Sequence, residues 1–153
     1  MSSYSISFNT NQYGGAPASA PLATVVAPLN SKMAITEIAI EIFNANTNSS
    51  FSIGRPVTPG SGDRDKLAFL AQSDPQGPNA LSSVVLEWDT PPVSPAQFMR
   101  KQAFATAVLN VGVIFTFPRG LGVPAAGQLC IWNIFGAANN GYINHTTWIE
   151  IDE

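Results

Sequence analysis

Apolar and polar residues alternate along most of this chain with a period of two, the repeat of strands that bury one face. The clearest case is residues 111–117, where Val111, Val113, Phe115 and Phe117 share one face and Gly112, Ile114 and Thr116 the other. A return run over 129–135 sets Leu129, Ile131, Asn133 and Phe135 against Cys130, Trp132 and Ile134. Apolar groups on both faces predict two central strands, one cover being a second sheet and the other a neighbouring subunit. Between them Pro118, Gly120, Gly122, Pro124 and Gly127 mark a loop longer than a tight hairpin, carrying one cation, Arg119.

Other segments obey the same logic. Tyr4, Ile6 and Phe8 alternate with Ser3, Ser5 and Ser7, and the stretch from Gly14 to Pro21 then separates this strip from the rest of the chain. That pattern predicts an N-terminal arm and tether over residues 1–21, its apolar edge docked on its own sheet or on a partner. Leu22 to Ala27 is a short apolar run closed by Pro28. Residues 34–43 fit both periods, but their density of isoleucine and the Asn- and Ser-rich breaker after them favour a strand. Phe51 to Ile53 continues as a short strand.

From Gly54 to Pro78 the composition predicts a long surface excursion with one apolar patch at 67–70 and room for one short strand or helical turn. Ser83 to Asp89 reads as a strand with Val84, Leu86 and Trp88 on one side, ended by Pro91 and Pro92. Residues 98–109 are expected to be a strand by context. Asn139, Asn140 and Gly141 signal a turn, and Tyr142 to Ile151 is the last strand, with Trp148 opposite Ile143, Thr147, Ile149 and Ile151. The resulting expectation is all-β: a β-sandwich, in the form of a jelly roll of about eight strands, with an extended N-terminal arm and a sandwich domain over 22–153.

Composition sharpens this picture. The chain has 153 residues, one cysteine and only 11% charged residues, against an ordinary figure near 25%. A surface so poor in charge suits one covered by other subunits, because charge is depleted at interface cores, or a β-protein whose surface simply favours uncharged polar residues. A net charge of −3 and a pI near 5.0 argue against binding a nucleic-acid backbone. No apolar stretch is long enough for a membrane helix, and the first residues lack the pattern of a secretory leader, so synthesis in a cytoplasm is expected. Cys130, alone and within an apolar run, reads as a buried inert thiol.

Candidate chemistry is sparse. His145 is the sole histidine, and a triad would require long-range folding to bring a serine to it. Asp63 and Asp65 sit two apart in a loop-like segment without the later acidic ligand of a calcium loop. Trp88, Trp132 and Trp148 offer a sugar-binding floor only if they leave the core. Sequons begin at Asn48 and Asn144. No catalytic, metal or cofactor site is expected.

The segments Leu86–Pro92, Phe115–Leu121, Leu129–Asn133 and Trp148–Glu153 resemble small structural proteins of tailed bacteriophages, in particular the jelly-roll capsid decoration, or cement, class. That resemblance implies a homotrimer on the outside of the head, its partners being its own copies and the major capsid protein, located on the virion capsid surface and made in the host cytoplasm. It casts Tyr4, Ile6 and Phe8 as an inter-subunit arm. A carbohydrate-binding module of a phage surface or fibre, and a tail or neck component, are the alternatives.

Overall fold

The computed structural model describes residues 2–11, 20–44, 48–67, 71–72, 76–105, 110–134 and 141–151. Eleven strands run through them: β1 (Ser2–Asn11), β2 (Ala23–Val26), β3 (Lys32–Asn44), β4 (Ser49–Gly54), β5 (Ser61–Lys66), β6 (Ala71–Gln72), β7 (Ser83–Thr90), β8 (Arg100–Phe104), β9 (Val111–Val123), β10 (Gln128–Asn133) and β11 (Gly141–Ile151). They form a five-stranded sheet, β6-β1-β11-β3-β9, and a six-stranded sheet, β5-β7-β2-β10-β4-β8.

Four antiparallel pairings nest inside one another: β4 with β8, β3 with β9, β2 with β10 and β1 with β11. The chain thus behaves as one long hairpin wrapped so that its strands alternate between two layers, which is the jelly roll. The three remaining strands come from an insertion between β4 and β8. It lays β7 and then β5 outside β2, and β6 outside β1.

Alternation decides what fills the space between the layers. Ile38, Ile40 and Ile42 of β3, Phe115 and Phe117 of β9, and Phe51 and Ile53 of β4 are all buried there, with Leu129 and Ile131 of β10. Phe51 meets Tyr142 edge-on at 5.2 Å between ring centroids, joining one sheet to the other. A polar link crosses the same gap. Asn133 of β10 donates through Nδ2 to the Tyr142 hydroxyl (2.6 Å) and accepts from the Ser50 amide (2.8 Å).

Four expectations change. First, residues 2–11 are the first strand of the jelly roll and not a separate arm. β1 pairs with β11 from Ser2↔Glu150 to Asn11↔Gly141, and Tyr4 and Ile6 are buried in the shared core. Burying two such side chains favours the folded sheet by about 1.5–3 kcal/mol each, more than a tethered strip gains by staying in water.

Second, β9 and β10 do not pair; they lie in opposite sheets. β9 also runs on to Val123, so the connection shrinks to 124–127, closed by a Gly127 amide to Pro124 carbonyl bond of 2.8 Å. Pro118 fits inside a strand because β9 is an edge strand and is irregular there. Ile35 faces Leu121 and Glu37 faces Thr116, with Gly120 at φ 72°. Only the inner face of β9 packs on the other sheet; its outer face is open, and Ile114 is 64% exposed.

Third, the second cover of β10 is the chain itself. Phe98 stacks edge-on against Trp132 at 5.6 Å, and a Cβ at Gly54 would lie 3.0 Å from Pro95. The segment after Pro92 therefore folds back over the outer face of the six-stranded sheet.

Fourth, the excursion over 54–78 contains β5 and β6. All six residues of β5 are exposed, so no buried face announced a strand. The apolar patch at 67–70 lies within the described residues only at Leu67, and the turn at 139–141 only at Gly141, which opens β11.

Candidate interaction face

The jelly-roll pairing places four strands side by side with their outward side chains in rows. From β1 through β11 and β3 to β9 the rows read Ser3, Ile149, Ala34, Gly122; then Ser5, Thr147, Glu37, Thr116; then Ser7, His145, Ala39, Ile114; then Asn9, Ile143, Glu41, Gly112. None of these four rows contains lysine or arginine, Lys32 following beyond them beside Ile151, and only β3 contributes charge. Most of the side chains are short, so the face is flat.

Where alanine and glycine meet, it is hollow. An open groove of about 440 Å³ is lined by Ala39, Glu41, Asn110, Gly112, Ile114, Ile143 and His145. Gly112 makes this depression possible because β3 passes close beneath it. A Cβ there would lie 2.5 Å from the Ile40 carbonyl oxygen. Asn110 enters β9 with φ 56°, a conformation asparagine tolerates better than most residues, and its amide donates to the Ile42 carbonyl at 2.8 Å.

His145 sits in the third row. Its Nδ1 is 2.6 Å from Ser7 Oγ, across 138 residues of sequence, and its Nε2 is 3.2 Å from Thr147 Oγ1. Folding does bring a serine to the histidine. A nucleophilic triad needs a carboxylate on the second ring nitrogen, and that place is taken by a threonine hydroxyl. The arrangement ties β1 to β11 and orients the imidazole on the face.

The remaining candidates fall elsewhere. Tyr4 donates to the Pro78 carbonyl (2.9 Å) and packs on Trp148 at 6.1 Å between ring centroids, while Phe8 packs partly buried against the core. With the buried Ile6, both therefore serve the chain's own sandwich. Asp63 is bound up with Lys66 at 3.5 Å, and no group of three or more metal-ligating side chains occurs among the described residues. Trp132 and Trp148 are fully buried. Trp88 is half-buried and donates to Thr24 Oγ1 at 3.1 Å, so the three indoles build no common platform. Asn144 is buried, which removes the second sequon from solvent. Among the described residues no helix is long and apolar enough to cross a membrane.

Alternation alone did not disclose one polar centre. Glu150 is 5% exposed, and its carboxylate accepts from the amides of Leu81 and Ser82 and from the Ser82 hydroxyl. The Ser82 hydroxyl in turn accepts from Trp148 Nε1 at 2.8 Å. The signal available was the phase of β11: Glu150 lies two residues from Trp148, hence on the same inward face. Cys130 is buried beside Thr24, 3.4 Å from its hydroxyl. Burial pushes its thiol from 9.0 up to about 12, against a smaller downward pull from Thr24. It is no nucleophile at neutral pH.

The sequence matches no protein-family model and none of the curated proteins. Among solved structures it aligns with a chain from a cryo-electron microscopy structure of mud crab dicistrovirus. The alignment covers 98% of this chain and 66% of that one, at 10% identity and a TM-score of 0.27. A likeness that weak carries no argument about role.

Proposed function

We propose that this chain is a non-enzymatic virion structural protein, a homotrimer that decorates the outer capsid and bridges capsomers of the major capsid protein. The observation that carries this reading is the outer face of the five-stranded sheet. Its four central rows lack lysine and arginine and present Ile114, Ile143 and Ile149 among serines, threonines, alanines and glycines, with Glu37 and Glu41 as their charges and Lys32 beyond them in register with Ile151. A face of that kind loses little solvation when another protein covers it, whereas charged surfaces resist burial. The jelly roll and the resemblance of four segments to phage decoration proteins point the same way. Contacts of modest strength, repeated by the symmetry of trimer and shell, add up to firm attachment.

The test is co-sedimentation of purified protein with heads that lack it, beside an Ile114→Asp variant. Ile114 is exposed, so the variant should fold normally and bind heads at least about tenfold more weakly, as expected for a charge buried at an interface. Light scattering should give three times the 16.2 kDa chain mass. Failure of the wild-type protein to bind heads, or a lasting monomer, overturns the reading.

A further inference from the structure

The two edges of the six-stranded sheet carry opposite charge. One edge is built by the insertion between β4 and β8. There β5 holds Asp63, Arg64, Asp65 and Lys66, and β7 beside it holds Glu87 and Asp89, four carboxylates against two cations. Both cations are already engaged, Arg64 with Glu87 (3.0 Å) and Asp89 (3.4 Å), and Lys66 with Asp63 (3.5 Å). The edge is therefore net negative.

The opposite edge belongs to the eight-stranded jelly roll itself. β8 supplies Arg100 and Lys101, Arg55 comes directly after β4, and Arg119 stands on the irregular part of β9. The Arg100 guanidinium lies 5.8 Å over the Phe117 ring, which brings β8 and β9 together at this side of the sandwich. Arg55 donates to the Gly122 carbonyl at 2.7 Å. Residues 91–134 contain no aspartate or glutamate, and none of these four cations is in an ion pair among the described residues. The carboxylates that flank the edge in register, Glu37 and Glu41, lie one strand in, on β3.

We propose that the cationic β8–β9 edge of one copy docks head to tail on the anionic β5–β7 edge of a second copy. The proposal rests on the self-association proposed above and names the surfaces that produce it. Like-on-like two-fold contacts set negative against negative or positive against positive; only the heterologous contact brings opposite signs together. A rotation axis parallel to the strands presents one edge of each copy to the other edge of the next, so the contact closes into a ring. Register shifts in β5 at Asp63/Asp65 and Asp65/Lys66, with Gly62 at φ 69°, interrupt its outer rim. Indiscriminate strand addition is thereby blocked, and side-chain charge is left to select the partner.

The experiment is sedimentation velocity on the full chain. The dissociation constant should rise at least about tenfold between about 0.1 M and about 1 M salt, as the screening length falls from about 10 Å to about 3 Å. Arg100→Glu with Lys101→Glu should give monomer with unchanged far-UV dichroism, and so should Asp65→Lys with Asp89→Lys. Mixing the two variants should restore association, in species that contain both variants and never one alone, because like edges now repel. Zero-length carbodiimide coupling of the unaltered protein supplies a readout free of folding effects. It should join Lys101 of one copy to Asp63, Asp65, Glu87 or Asp89 of another. An oligomer insensitive to salt and to both reversals, or one whose cross-links avoid these edges, overturns the edge contact and leaves self-association standing. A wild-type monomer under all conditions overturns both.

Discussion

Glu150 at the end of β11 holds Ser82, the residue just before β7, taking hydrogen bonds from both its amide and its hydroxyl. The contact ties the five-stranded sheet to the insertion at the point where it enters β7 of the other sheet. Removing the carboxylate strands the buried Ser82 amide and hydroxyl, at about 1–3 kcal/mol for each buried group left unsatisfied, and frees the part-buried Leu81 amide to water. Glu150→Ala should therefore lower the unfolding midpoint by several degrees, with about 2–4 °C expected per kcal/mol at this chain length. Glu150→Gln keeps one acceptor and should lose less. Thermal and urea unfolding compare the two, and equal stability of Glu150→Ala and wild type would remove the latch.

Cys130 makes the fold sensitive to alkali. Burial raises its thiol from 9.0 to about 12, so above pH 9 the unfolded chain ionises while the folded one does not. The raised folded value means that this contribution is whole below about pH 9 and is lost as pH climbs toward 12. The loss is about 1.4 kcal/mol per pH unit at most. The stability gap between wild type and Cys130→Ala should narrow over that window, read by urea unfolding at stepped pH. Thiol reagents at neutral pH should label Cys130 only as fast as the protein opens. Prompt labelling of the native state would contradict the burial.

Deleting residues 1–11 removes β1, with Tyr4 and Ile6 in the core and one partner of β11. The truncated chain should lose most of its stability, since each large side chain contributes about 1.5–3 kcal/mol and β11 gains an unpaired edge. Far-UV dichroism and urea titration test this. A truncated protein as stable as the full chain would restore residues 1–11 to the role of a dispensable arm.

Phe98→Ala should uncover Trp132 without touching the inner core. Trp132 owes its outer cover to Phe98, and its Nε1 has no hydrogen-bond partner among the described residues. The variant should shift tryptophan emission to the red and cost about 1–3 kcal/mol. An unchanged emission spectrum would mean that another group supplies the cover.

Period-two patterning by itself determined that this chain is built of strands and that Phe115 and Phe117 share one face, while isoleucine density and the breaker that follows made 34–43 a strand despite its helical option. Those conclusions depend only on local stereochemistry and on which residues avoid water. The pairing of strands was not local. Residues 111–117 and 129–135 look like hairpin partners in sequence, yet β9 and β10 belong to different sheets because the wrapped hairpin pairs each with a strand far upstream.

The inward face of β11 was equally out of reach. Ile143, Ile149 and Ile151 are the apolar choices, but Tyr142, Asn144, Thr146, Trp148 and Glu150 are the buried set. Several of the polar side chains that enter the core meet partners there, although Asn144 Nδ2 and Ser52 Oγ have none among the described residues. Thr146 finds Asn144, and Glu150 finds Ser82, 68 positions away. The same long-range closure set Ser7 against His145 and lined up the isoleucines that β11 turns outward. Local alternation names two faces; the tertiary fold chose between them by supplying hydrogen bonds to one.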